Sequence, residues 1–513
     1  MSSTRRRRLG AATVATAAGI TLALSAATPT ATAVVVSAPA KASGPSTTAA
    51  TDSASMRKAI TPRGLRSHLE ALETLGARYD GRATTTRGYD AAARYVEFEL
   101  REAGYKPRRD YFTYEASEIL AESLTINGEG EPTDVPILAM AYTNSTPEGG
   151  VTGDLVAPND TTGCSAVSWD GVEVTDQVAL ISRGTCSFAD KARFAGEAGA
   201  AGAVVYNNTE GDLNGTLGDA QIEGAAPVGG VTQEAGQQLL AAAEAGTPVT
   251  LDIRADYFEA ESYNILAARN GDPENEILLG AHLDGVEGTT AVNDNGTGVA
   301  ALLEVAKNMP KKSRNKVQFA FWGAEEVGLI GSTEYVNDLV EQEGRQLDNI
   351  ATYLNFDMLG SPNHIIGVYD ADESKFPASA PVTAGSIETE QMFRSYFRSQ
   401  KQPVVDTEFS GRSDYQAFLQ NGVAAGGLFT GADGVKTPYQ VKLFGGTAGE
   451  LYDPNYHTPT DNLENVAVGP LHTMADAVGH MAITLAKSTR EIDSPNRAPE
   501  RTVESGLAAE PRR

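Results

Sequence analysis

Five short stretches place imidazole or carboxylate side chains where a strand would end: Gly280-Ala-His282-Leu-Asp284, Asn293-Asp294-Asn295-Gly296, Trp322-Gly-Ala-Glu325-Glu326, Asn355-Phe-Asp357 and Tyr456-His457. Neutral His with ionised Asp or Glu is the donor set expected of Zn²⁺. Two histidines, His282 and His457, with three carboxylates from Asp294, Asp357 and the Glu325-Glu326 pair, are too many for one four-coordinate catalytic zinc that keeps an open position. They fit two ions that share a bridging carboxylate. Such a pair polarises a carbonyl, lowers the pKa of a shared water and orients its attack. The chemistry also needs a base outside the ligand set, and the neighbours Glu325 and Glu326 offer one candidate of each kind. Asp284, two residues beyond His282, is placed to accept the second ring N–H and fix the tautomer. Each residue taken alone has an ordinary explanation. A Glu-Glu pair is usually solvated surface, Asp294 could cap a helix, and Asp284 could turn the chain with Gly285. His282 could be a core histidine and His457 a loop residue. Spacing by itself leaves both readings open.

The elements that must position these residues are legible from periodicity. Ile277–Ala281, Val317–Trp322 and Ala351–Phe356 read as strands, separated by helices over Gly298–Met309 and around Ile330–Leu339. Strand–loop–helix alternation of this kind predicts an α/β domain with a mixed, largely parallel sheet flanked by helices. Sites in such sheets sit at the carboxyl ends of the strands. Upstream, Leu65–Leu75 and Tyr89–Ala103 carry apolar residues at helical spacing, with Gly104 where a helix C′ glycine is expected. An extended stretch follows over Asp110–Tyr114. Residues 119–256 change character, to short β-like runs with glycine-rich turns. Within them Val178–Ser182, Phe188–Ala198 and Ala203–Tyr206 read as a βαβ unit.

Composition bounds the partners. The chain has 513 residues, enough for two or three domains, and a net charge of −26. Its first 42 residues hold five basic residues and no acid, so the remainder is more acidic still. Such a surface repels phosphate backbones and anionic membranes, and no nucleic-acid partner is expected. Two cysteines exclude a disulfide scaffold and any Cys-rich metal cluster. Arg5–Arg8, the apolar run Leu9–Ala27 and small-residue sites at Ala31-Thr-Ala33 or Ala40-Lys-Ala42 have the architecture of a secretory signal, with twin-arginine export left open. No later stretch is apolar enough to span a bilayer, so no membrane partner is expected once the signal is cleaved.

Two resemblances sharpen this reading. The segment "ALISRGTCSFADKARFAGEAGAAGAVVYNN" resembles the protease-associated (PA) domain, a β-rich α+β fold expected here to shape substrate access. Cys164 and Cys186 both fall within residues 119–256 and, in a secreted protein, are expected to pair, with two unpaired thiols as the alternative. The strings "GAHLDGV", "NDNGTGVAALLEVA", "FAFWGAEEVGLIGSTEYV", "YLNFDMLGSPN", "GRSDYQAF", "GGLFTGAD" and "FGGTAGELYDPNYHTPTDN" closely resemble the secreted bacterial di-zinc leucine aminopeptidases, of the zinc-exopeptidase (phosphorylase/hydrolase-like) fold. The resemblance implies two Zn²⁺ per chain, one on His282 and Asp357 and the other on Glu326 and His457, with Asp294 bridging them. It implies that Glu325 is the general base, acting on a water that bridges the zinc ions. Tyr456 would be the oxyanion donor, Arg412 a contact to substrate or product, and Phe429 a wall of the pocket for the first side chain. It further implies a cis peptide after Asp294. Close relatives have a cysteine on each side of the Tyr-His loop, where this chain has Asn455 and Thr460. Ligands for structural calcium cannot be matched, so calcium is not predicted.

The expected organisation is a signal peptide over 1–42, a linker over 43–56, and a first peptidase part over 57–118. The PA domain follows over 119–256, the main peptidase part over 257–488, and a disordered tail over 489–513. The expected function is a monomeric, secreted aminopeptidase acting on peptides and proteins with free N-termini and preferring large apolar first residues such as Leu. Two alternatives use the same scaffold. An acidic-dipeptide carboxypeptidase would want a basic cluster, and only Arg412 is found near the motifs; a single-zinc glutaminyl cyclase keeps much of the ligand set. A binding protein with a dead peptidase domain would have lost ligands, whereas all five remain here beside Glu325.

Overall fold

A computed structural model describes residues 49–128, 130–218, 220–342 and 346–492. The signal segment expected over 1–42 and most of the tail expected from 489 lie outside the described residues. Among those described, no helix is long and apolar enough to cross a membrane.

The main sheet has nine strands, and its centre is where the apolar runs predicted it. Strand Val249–His282 folds back on itself, and Lys312–Trp322 lies between its two arms. Phe319 faces Ala267 on one side and Leu279 on the other, with the numbering running in opposite senses on the first side and in the same sense on the second. Ile350–Phe356 pairs parallel to the second arm and Ala425–Phe429 parallel to Ile350–Phe356. Gly367–Tyr369 then runs antiparallel to Ala425–Phe429, which makes the sheet mixed but largely parallel at its centre.

Both faces of these strands are buried, the reason they read as continuous apolar runs rather than as alternation. Ile277, Leu279, Ala281, Phe319 and Phe321 point into one core beneath helices Pro62–Tyr79, Arg87–Glu102, Thr297–Asn308 and Val468–Leu485. Leu278, Ala320 and Trp322 point into the other, with Tyr335, Tyr353 and Phe418. The Trp322 indole donates to the Tyr353 hydroxyl at 2.8 Å, which satisfies a buried donor.

Strand Arg108–Ile126 pairs antiparallel with the first arm of Val249–His282 from Arg108 opposite Leu266 to Ile126 opposite Val249. This two-stranded ribbon leaves the peptidase sheet and enters the PA domain. A bulge between Ile119 and Ala121 marks its middle, where Ile119 lies opposite Ala255. The PA domain holds a second sheet of five strands, in the order Leu138–Ala139, Val228–Val231, Gly202–Tyr206, Val178–Ser182, Leu155–Val156. Helix Phe188–Glu197 covers one face and Gln233–Glu244 the other, each over its own apolar cluster. Cys164 and Cys186 are disulfide-bonded within this domain.

Two terminal expectations need correction. The linker placed over 43–56 ends early, because Ser53–Ala59 is a helix. Asp52 and Ser55 form a capping box, and Met56, fully buried, packs against Gly479 of the last long helix. The tail placed from 489 is not disordered over its described residues: Thr489 and Ile492 are buried, and the Thr489 hydroxyl accepts from the Asn275 amide at 2.7 Å. In both places one or two apolar anchors outweigh a polar composition.

Candidate metal centre

The sequence-predicted ligands converge at the carboxyl ends of the central strands. His282 ends the second arm of the folded strand, Asp357 follows Ile350–Phe356, and Glu325 and Glu326 follow Lys312–Trp322. Asp294 sits in a turn before helix Thr297–Asn308, and the peptide bond to Asn295 is cis, as the resemblance implied. The Asn295 side chain ties this turn to the end of the neighbouring strand, donating to the Phe356 carbonyl at 2.9 Å and accepting from Gly298 N at 2.9 Å. Position 298 must be glycine for that approach, since a Cβ there would lie 2.2 Å from the Phe356 carbonyl oxygen. Ala324, Leu329, Met358 and His457 all adopt left-handed backbone conformations around the site. Strain of this kind persists where surrounding structure over-determines it.

Asp294 joins two groups of donors. Its Oδ1 lies 3.1 Å from His282 Nε2, which is itself 3.2 Å from Asp357 Oδ1. Its Oδ2 lies 3.2 Å from His457 Nε2, which is 3.0 Å from Glu326 Oε2. Donors around a tetrahedral zinc at its usual bond lengths stand about 3.3 Å apart. One imidazole nitrogen facing two carboxylate oxygens has one proton at most to offer, so a hydrogen-bonding account leaves an acceptor short in each group. Glu326 Oε1 is also buried without a hydrogen-bond partner among the described residues. The electrostatics agree. Burial opposes charging His457, yet Asp294 and Glu326 raise it to about 10. Burial likewise opposes ionising Asp294, yet the two imidazoles hold its carboxyl well below the usual carboxylate range. The cluster demands positive charge, and these residues fit divalent cations.

Glu325 is buried beside them. Burial lifts its carboxyl well above the usual range, with His282 pulling it back and Asp357 lifting it further. The Tyr456 ring stacks on the His457 ring at 3.7 Å between centroids. Arg412 donates to both oxygens of Asp433, at 3.2 and 3.1 Å, and to the Tyr456 hydroxyl at 3.4 Å. A cavity of ≈ 360 Å³ opens over the cluster, lined among others by Glu325, Leu329, Met358, Tyr369, Arg412, Phe429 and Tyr456. That volume lies within the range of small-molecule sites.

Asp284 is not where the spacing put it. The ring Nδ1 of His282 meets the backbone carbonyl of Asp284 at 3.2 Å, while the Asp284 carboxylate stands off at 3.8 Å. That carboxylate instead accepts the backbone N–H groups of Glu325 and Glu326, each at 3.2 Å. The reason is local: the turn after Trp322 leaves two orphan donors that a buried anion satisfies better than one ring nitrogen could.

Three supports were invisible to spacing. Asp461, 2% exposed, accepts Asn293 N at 2.7 Å and Asp294 N at 3.0 Å, one on each carboxylate oxygen. Ser413 donates to Asp357 Oδ2 at 2.7 Å. Arg82, fully buried, donates to the carbonyls of Leu283, Thr290 and Ala291 and so pins the loop between His282 and Asp294. Asp461 and Ser413 lie inside the quoted strings "HTPTDN" and "GRSDY", the one signal that could have pointed to them. The Tyr-His loop, without flanking cysteines, is braced by hydrogen bonds: Asp453 accepts from Asn455 N at 2.9 Å, and Thr458 donates to the Asn455 carbonyl at 2.8 Å.

The comparisons with known proteins agree with this geometry. The profile of peptidase family M28 matches residues 264–482, and that of the PA domain residues 151–239. A probable leucine aminopeptidase 2 of Aspergillus fumigatus is 41% identical over 390 residues, covering 74% of each chain. An aminopeptidase of Pseudomonas aeruginosa is 38% identical over 449 residues, 83% of this chain and 81% of that one. Among solved structures, the aminopeptidase from Aneurinibacillus sp. strain AM-1 aligns with a TM-score of 0.67 at 26% identity, covering 84% of this chain and 95% of that one. This chain belongs to peptidase family M28 and carries a PA domain.

Proposed function

We propose that this chain is a secreted zinc aminopeptidase that removes large apolar first residues such as Leu. The observation that carries the reading is Asp294 facing a His–Asp pair with one oxygen and a His–Glu pair with the other, on the floor of one cavity beside Glu325. Its relatives in Aspergillus fumigatus and Pseudomonas aeruginosa are named as aminopeptidases. His282 and Asp357 would hold one zinc ion and Glu326 and His457 a second, with Asp294 shared. When bound, zinc supplies Lewis acidity, polarising the scissile carbonyl and making water a better acid.

The remaining steps belong to the chain. Glu325 takes a proton from the attacking water and later delivers it to the leaving amine. It is buried, and no donor among the described residues hydrogen-bonds its carboxyl, which suits a group that must gain and lose a proton in one turnover. The Tyr456 hydroxyl donates to the oxygen that gains charge in the tetrahedral transition state. Arg412, held by Asp433, keeps that hydroxyl oriented as a donor, since its own N–H occupies one of the oxygen's lone pairs. The free α-amine of the substrate is held by the carboxylates of Glu325 and Asp357. Leu329, Met358, Tyr369 and Phe429 wall the space for the first side chain. An acidic-dipeptide carboxypeptidase is disfavoured, because Arg412 is the one guanidinium or ammonium group among the described residues that line the cavity, and Asp433 already pairs with it.

The test is cleavage of a leucine-initiated peptide beside its N-acetylated copy, with and without a chelator, by the wild type and by Glu325→Gln. Release of leucine from the free-amine peptide alone, abolished by chelation, is expected. Glu325→Gln should keep its zinc and lose about 10²–10⁴ in kcat. Cleavage of the acetylated copy, or no cleavage of either peptide by zinc-loaded protein, would sink the reading.

A further inference from the structure

We propose that Glu408 extends the first-residue preference of this cavity to lysine and arginine, an inference that rests on the aminopeptidase reading. Glu408 lines the same cavity as the candidate metal ligands, is exposed, and makes no hydrogen bond or ion pair with any described residue. The other charges of the cavity are accounted for. Asp294, Glu325, Glu326 and Asp357 surround the place where two divalent cations would sit, and Asp433 is neutralised by Arg412. With the cations in place, Glu408 is the acidic group left without a counter-charge.

Its position is set by a rigid neighbour. Phe409 is buried, stacked on the Tyr369 ring at 4.7 Å between centroids and set edge-on to Tyr415 at 4.8 Å. Tyr369 and Tyr415 themselves line the cavity. The backbone on either side of Phe409 is thereby fixed at the aromatic wall, and the Glu408 side chain rises from that wall. The α-amine of a substrate is not its partner, because that amine is one carbon from the scissile carbonyl and must lie with the metals. A group that follows aromatic and aliphatic walls and then meets a carboxylate has an apolar stem and a cationic end, the description of lysine and arginine side chains. The carboxylate is solvated, so its contribution is a modest attraction added to apolar burial, and leucine remains a good first residue.

The experiment compares kcat/KM of the zinc-loaded full chain on leucyl, norleucyl, lysyl and arginyl anilides, at low and high salt. Norleucine matches the stem of lysine without its charge. In the wild type, lysine should be accepted within about tenfold of norleucine. Glu408→Gln should lower the lysine-to-norleucine ratio about threefold or more, through KM, and Glu408→Lys should lower it further. Raising salt should lower the ratio in the wild type and not in Glu408→Gln. A ratio unchanged by both substitutions overturns the role of Glu408 while leaving the aminopeptidase reading standing. Failure to cut leucyl and norleucyl substrates overturns that reading, and the inference with it.

Discussion

Asp461 is the residue whose removal should reveal most about how the site is held. Its two carboxylate oxygens accept the backbone N–H groups of Asn293 and Asp294, at 2.7 and 3.0 Å, in a fully packed environment. Asp461→Asn keeps one acceptor and turns an amide N–H toward the other donor. Losing one charged hydrogen bond and stranding a buried N–H costs about 2–4 kcal/mol. Removing the charge relieves repulsion with Asp294 and Asp453 but also forfeits attraction to the buried Arg82 guanidinium, so these opposed effects return only part of that cost. The net expectation is a loss of about 1–3 kcal/mol in chelator-treated protein. Because Asp294 faces both donor groups, zinc affinity should also weaken about 10–100-fold, the usual effect of deleting an outer partner. The assay is urea unfolding read by tryptophan fluorescence in a Trp169→Phe background. The chain has two tryptophans, and the other, Trp322, is buried in the peptidase core. A zinc titration by calorimetry reads the affinity. Unfolding within 0.5 kcal/mol of the parent, with zinc affinity within twofold, would refute the claim that this carboxylate holds the turn.

Two further expectations concern parts remote from the chemistry. Replacing Cys164 and Cys186 by serine opens a loop with a sequence separation of 22, which should destabilise the PA domain by about 3 kcal/mol in the chain-entropy account. Trp169 fluorescence should report an earlier transition, and an unshifted midpoint would show that the loop is held by packing instead. His480 stacks on Tyr396, donates to or accepts from the Ser53 hydroxyl at 2.8 Å, and is lowered to about 4 by burial and then by Arg57. Its folded value is below the unfolded one, so its contribution is complete above about pH 6.5 and is lost as pH falls through 4. Asp476, one turn away, is raised to about 6 by burial and works in the opposite sense, gaining stability as pH falls toward its unfolded value. The effect of His480 is therefore isolated by substitution. Between pH 7 and 4.5 the wild type should lose about 1–2 kcal/mol more than His480→Gln, after discounting for partial solvent exposure. Equal losses in urea unfolding at the two pH values would remove His480 from the account.

What the sequence determined by itself was local. Strand, loop and helix alternate with a clear period, and the ligand types follow the strand ends because both are properties of neighbouring residues. Gly280-Ala-His282 and Asn355-Phe-Asp357 could be read as strand-end donors without knowing which strands pair. The resemblance added an assignment of partners, but spacing could not, because Asp294, Glu326, Asp357 and His457 are separated along the chain by whole helices, and His282 from Asp294 by an irregular loop. Tertiary structure alone decided three things. Sheet order brings His282 and Asp357 to adjacent strand ends, so Asp294 can face both donor groups at once. The turn after Trp322 presents two bare N–H groups, and these claim the Asp284 carboxylate that spacing had given to the imidazole. Asp461 reaches Asn293 and Asp294 across 168 and 167 residues of sequence. A buried backbone donor must find an acceptor wherever the fold supplies one, and no periodicity in the chain records where that will be.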